Sequence, residues 1–97
     1  MSKVKLLKII PSKKDNKKYT AFFILKDKIK KVDFGGRGYS DYTIHKDPER
    51  KKLYIKRHRK NENWKDPVSP GALSRWVLWN FPSFKKSIQD YKRRFKL

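Results

Sequence analysis

The pattern of apolar residues in this chain changes character once, at Gly35-Gly36-Arg37-Gly38, and that change divides the fold. Before it, short runs rich in β-branched and aromatic residues are separated by polar turn signals. After it, apolar residues recur at spacings of three and four behind Pro-containing start signals. The first pattern is that of strands, the second that of amphipathic helices.

On the strand side, Val4–Ile10 is aliphatic and ends at Pro11-Ser12, and the Lys-rich stretch Lys13–Lys18 reads as a turn. Tyr19–Leu25 is a continuous apolar run, which suits a strand central in its sheet or covered on both faces. Asp27-Lys28 is a short reversal, and Ile29–Phe34 then places Val32 and Phe34 on one face with Lys31 and Asp33 on the other. Together these predict a three-stranded antiparallel meander. The glycine-rich break lacks the Lys-Ser/Thr and glycine spacing of a phosphate loop, so it reads as a turn that needs positive φ.

On the helix side, Asp47-Pro48-Glu49 supplies an N-cap, a Pro at the first helical position and an acid in the first turn, opening a helix to about Lys60. Ser69-Pro70-Gly71 repeats that logic for a helix Ala72–Trp79, and Pro82-Ser83 precedes a third, Phe84–Phe95. In the last helix Phe84, Ile88, Tyr91 and Phe95 form one stripe opposite Lys85, Lys86, Lys92 and Arg93. The Ala72–Trp79 helix is apolar over more than half its circumference and is expected to be the most buried. Trp76-Val77-Leu78-Trp79 is read most simply as core, with a patch facing a partner as the second reading because Leu78 points away from the other apolar positions. The expected fold is α+β: one small domain, residues 1–97, with an N-terminal three-stranded antiparallel sheet (strands within 1–34) followed by three helices (within 41–97).

Charge sets the expectation for function. Lys and Arg number 28 against 9 acids, a formal charge of +19 on 97 residues. The excess is +8 over residues 1–34, +5 over 35–66 and +6 over 67–97, so no appended tail carries it. Self-repulsion on this scale opposes compaction, and neutralising a polyanion is its commonest use. Three Trp, five Tyr and six Phe supply a core that a disordered basic tail would lack. With no Cys there is neither a disulfide nor a thiolate metal site. The segment around Met1-Ser2-Lys3-Val4-Lys5 is too short for a signal peptide, and no stretch approaches a membrane span, so the expectation is a protein that is not secreted and has no membrane partner.

Arg50–Lys60 holds seven basic residues in eleven positions. On the helical wheel Lys52, Lys56, Arg59 and Lys60 gather on one side, opposite Leu53 and Tyr54, whose face also carries Arg50 and Arg57. The expected nucleic-acid-binding residues are Lys51, Lys52, Lys56, Arg59 and Lys60 here, with Lys85, Lys86 and Arg93 on the last helix. Arg50 and Arg57 are expected to be partly buried against Asp41 and Glu62. Tyr39, Tyr42, Tyr54 and Trp64 lie among the charges and are read as core residues with a polar handle. His45 and His58, thirteen apart with no Cys, do not make a zinc site, and Asp41, Asp47 and Glu62 are better accounted for as a cap and ion-pair partners than as a Mg²⁺ cluster. No catalytic residue, cofactor or metal is expected.

Several motifs in one order, Gly38-Tyr39-Ser40-Asp41-Tyr42-Thr43, His45-Lys46-Asp47, Arg50-Lys51 with Tyr54 and Arg57-His58, Gly71-Ala72-Leu73-Ser74-Arg75-Trp76 with Leu78-Trp79, and Asp90-Tyr91-Lys92-Arg93-Arg94-Phe95, resemble a family of short basic proteins encoded by large DNA viruses of algae and protists. The resemblance covers roughly residues 19–97. It implies a viral product, in the virion or in a virus factory of the host cell, and implies no activity. The expected function is therefore non-enzymatic, largely sequence-independent binding of nucleic acid (DNA favoured over RNA) or another polyanion, for genome condensation or packaging. The alternative is a structural virion protein whose charge meets acidic partner proteins.

Overall fold

The computed structural model describes residues 4–60 and 62–97; residues 1–3 and Asn61 lie outside the described residues, as does the part of the leader reading that fell on residues 1–3. Three strands, β1 (Val4–Pro11), β2 (Lys17–Leu25) and β3 (Lys28–Gly36), form an antiparallel sheet in the order β1-β2-β3. The helices follow: α1 (Tyr42–His45), α2 (Pro48–His58), α3 (Pro70–Leu73) and α4 (Phe84–Phe95). The α+β architecture, sheet first and helices after, is the one the apolar pattern predicts.

The β2–β3 hairpin closes on Lys26-Asp27, with Leu25 opposite Lys28 and both turn residues at positive φ (48° and 65°). Positive φ at both central positions matches the right-handed twist of the flanking strands. In register, Ala21 faces Val32 and Tyr19 faces Phe34 on one side of the sheet. That side forms the core: Ala21, Phe23, Val32 and Phe34 pack with Leu73, Val77, Leu78 and Tyr91 from the helical half. The opposite side is open. There Phe22 stands between Lys8 and Lys31 across the register, with both ammonium groups over its ring at 4.9 and 5.7 Å.

Gly38 lies in the turn after β3 with φ 91°, as the turn reading requires, whereas Gly35, expected in that turn, belongs to β3 and takes φ 79° within the strand. Gly35 also lets β3 approach the helices: a Cβ there would stand 2.8 Å from Leu78 Cδ1. The short α1 is absent from the sequence expectation. It forms because the Asp41 carboxylate accepts from the Thr43 backbone N–H, and it stops at Lys46 in the left-handed region.

The expected Ala72–Trp79 helix is instead two pieces. Ser69 caps α3, whose last residue is Leu73, and the chain continues through a π-helical turn at Ser74–Leu78, closed by Trp79 N–H donating to Ser74 O at 3.1 Å. A π-turn adds one residue to a helical turn and so rotates everything after it. Leu78 is 2% exposed and in the core, as the simpler reading expects, and the alternative of an outward patch is overturned. The last helix keeps its expected bounds and stripe: Tyr91 is fully buried, and Phe84, Ile88 and Phe95 pack against the core.

Candidate nucleic-acid interface: a helix that buries nothing

Asp47 caps α2, accepting from the Glu49 N–H at 3.0 Å, and Pro48 occupies the first turn. The cap and the Pro are local features, so the start of this helix is legible in the sequence. Lys56, Arg57 and His58 in its last turn complement the helix dipole. No residue of α2 is buried.

The orientation of α2 differs from the wheel expectation. Its half-buried residues are Lys51, Tyr54, Ile55 and His58, one helical stripe, while Arg50, Leu53 and Arg57 are exposed. Two contacts set this rotation. The Tyr54 ring stacks on Trp79 with centroids 4.3 Å apart and planes 2° from parallel. Lys51 Nζ donates to the Asn80 carbonyl at 2.7 Å and lies 5.2 Å from the Tyr42 ring centroid. Burial, with Arg75 nearby, lowers the Lys51 pKa, and burial next to Glu62 raises that of Tyr54.

Arg50 and Arg57 are therefore not the buried, paired arginines expected, and among the described residues neither forms an ion pair. The acids assigned to them have other partners. Asp41 is buried and meets Lys18 Nζ at 2.6 Å from the end of the sheet. Glu62 meets His58 Nδ1 at 3.6 Å and accepts from Trp64 Nε1 at 3.2 Å.

Of the expected binding residues, Lys52, Lys56, Arg59 and Lys60 come together around a shallow hollow of about 320 Å³ that also includes Ile55. Lys52 also lies 3.8 Å from Glu49, an exposed contact of little energetic weight. Lys51 does not join them, because its ammonium points inward to Asn80. Lys85 and Lys86 are exposed on α4, a different element. Arg93 is exposed too, although its guanidinium donates to Asp90 at 2.8 Å.

Asp90 joins the helical half together. Its buried carboxylate accepts from Asn80 Nδ2 at 2.7 Å and from Arg93 and Arg94. Burial by itself would raise its pKa, but these hydrogen bonds and the Arg94 charge outweigh that and hold it below the usual carboxylate range. Because Asn80 also accepts Lys51, the network runs from α4 through Asn80 to α2.

The inner side of α2 borders a cleft that sequence reasoning missed. It holds about 580 Å³ between α2, the Gly35-Gly36 end of β3 and the start of α3. Arg50, Leu53 and Arg57 line it from α2, with Lys17 and Tyr39 across from them. Tyr39, expected in the core, is 77% exposed, and its ring lies against Gly36 in the space a Cβ would fill. The available signal was the pairing of Gly36 with an aromatic three residues on, closed by the Tyr39 N–H to Gly36 O bond. Tyr42, Tyr54 and Trp64 are half-buried.

His45 serves the fold: its Nδ1 accepts from the Asp47 N–H at 3.0 Å and its ring packs on Trp79. Among the described residues no group of three His, Asp or Glu stands together as metal ligands do, and no helix is long and apolar enough to cross a membrane.

Residues 7–58 match the model of a family of unknown function (DUF5754), a span of just over half the chain. No curated protein and no solved structure matches it.

Proposed function

The chain belongs to the DUF5754 family of unknown function, and we propose that it binds nucleic acid through its backbone phosphates, without base-sequence readout and without chemistry. The observation that carries this reading is α2 itself. Seven of the eleven positions from Arg50 to Lys60 are Lys or Arg, yet the helix buries no residue. A helix usually owes its place to the apolar face it buries. This one is held mainly by one aromatic stack and one inward lysine, which leaves its remaining cations facing solvent on both sides. Lys52, Lys56, Arg59 and Lys60 offer one cluster and Arg50 and Arg57 another, with Lys85, Lys86 and Arg93 of α4 adding to the field.

Ion pairs among the described residues engage Lys14, Lys18, Lys52, Arg93 and Arg94. Among the described residues the other Lys and Arg side chains form no ion pair with an acid, which favours an external polyanion. In the viral setting that the sequence resemblance implies, condensing or packaging a genome is the use such binding would serve.

Salt titration tests the reading. If about six phosphates are neutralised, affinity for a labelled oligonucleotide falls about a thousandfold between roughly 50 and 200 mM salt. A flat response in fluorescence anisotropy would reject nucleic acid and favour acidic protein partners. Incubation with DNA or RNA and Mg²⁺ or Mn²⁺ is expected to leave the nucleic acid intact. Cleavage that vanishes in Asp41→Ala or Glu62→Ala would overturn the non-enzymatic part.

A further inference from the structure

We infer that the cleft between α2 and the Gly35-Gly36 end of the sheet receives an unpaired base of single-stranded nucleic acid, with Arg50, Arg57 and Lys17 holding the flanking phosphates. The inference rests on the nucleic-acid reading above and deepens it, since phosphate binding alone needs no cavity. At about 580 Å³ the cleft is the size of a small-molecule site.

The charges within it are sorted in a way that favours an anion. Its two acids are already engaged, Asp41 by Lys18 and Glu62 by His58 and Trp64. Arg50, Arg57 and Lys17 line the same space and pair with no acid among the described residues. Beside them stand two large apolar side chains that the fold leaves uncovered, Tyr39 at 77% and Leu53 at 56% exposure. Cations tracking a backbone next to a flat aromatic face are the two components of single-strand binding. Tyr39 is preset for this, because its ring lies over Gly36, where any side chain would displace it.

A duplex keeps its bases stacked and paired, so only an unpaired base can enter such a cleft. Phe22, on the open side of the sheet, is a weaker platform, because Lys8 and Lys31 already sit over its ring.

The test compares a fluorescein-labelled twelve-residue oligothymidylate with an abasic deoxyribose-phosphate oligomer of the same length and charge. The wild-type protein is expected to bind the oligothymidylate about tenfold more tightly. Combining Tyr39→Ala with Leu53→Ala removes that preference and leaves affinity for the abasic oligomer unchanged, and thermal melts check that the fold is retained. Arg50→Ala with Arg57→Ala weakens both ligands alike. Equal binding of the two oligomers by the wild type, or a preference that survives Tyr39→Ala/Leu53→Ala, would overturn base insertion and leave the phosphate-binding reading standing. Binding of neither oligomer would overturn both.

Discussion

The inner face of the sheet with α4 and the α2 region are built on opposite principles. Ala21, Phe23, Phe34, Leu73, Val77 and Tyr91 reach zero exposure around the sheet, whereas α2 buries no residue and exposes its one leucine. Both regions are rich in Lys. The difference lies in what positions the cations. On α4 the apolar stripe is continuous, so the basic face is fixed by what it opposes. On α2 a lysine takes part in the anchoring, and the helix is placed by polar and aromatic contacts. Stability is thus concentrated in one region and exposed charge is concentrated in the other.

The sharpest way to break this contrast is to truncate one large apolar side chain in each region, buried Phe23 in the first and exposed Leu53 in the second. Phe23→Ala should cost about 3–5 kcal/mol, comparable to much of the stability of a domain this small. Leu53→Ala, next in sequence to Tyr54 but on an exposed part of the helix, should stay within about 0.5 kcal/mol. Chemical denaturation measures both, and a large loss at Leu53 would mean that α2 is seated in the core after all.

The network between the regions comes next. Asp90→Asn weakens the charge-assisted hydrogen bonds from Asn80, Arg93 and Arg94 and should cost about 2 kcal/mol. It also carries a pH signature. The Asp90 carboxyl, like that of Asp33 beside Thr20, Lys14 and Ser12, is held below its ordinary range in the folded state. A depressed carboxylate contributes stability above its unfolded pKa of about 3.9, and that stability is lost as pH falls through the folded value. Melting temperature should therefore drop below about pH 4, and less steeply in Asp90→Asn. A variant that melts in parallel with the wild type across that range would place the acid sensitivity elsewhere.

Lys51→Ala should have a smaller effect, about 1 kcal/mol, because it leaves the Asn80 carbonyl short of a donor at a site that is only half-buried. Lys52→Ala, one position along, should leave stability within about 0.5 kcal/mol and lower polyanion affinity instead. Equal stabilities for the two variants would show that Lys51 does not fix the rotation of α2. The smallest expected change is in the fold of a Lys56→Ala/Arg59→Ala/Lys60→Ala variant, which should melt like the wild type while binding an oligonucleotide with a shallower salt dependence.

The sequence by itself determined the elements and most of their ends. The β2–β3 reversal, expected one residue late at Asp27-Lys28 and observed at Lys26-Asp27, the caps Asp47, Ser69 and Ser83, and the stripe Phe84-Ile88-Tyr91-Phe95 are encoded by residues close together in the chain, so local chemistry suffices to read them. It also determined the excess charge and that α2 carries a dense share of it. Tertiary structure decided which way α2 faces. Its wheel offers two stripes of similar hydrophobicity, and the choice fell to Trp79 and Asn80, more than twenty residues away, which capture Tyr54 and Lys51. It likewise decided the fate of Leu78, because no local propensity announces a π-turn, and only the demand to fill the space against Gly35 and the sheet rotates that side chain inward. The cleft follows from both decisions. It is the gap left when a helix held by one aromatic stack and one lysine stands off from a sheet edge that glycine keeps open.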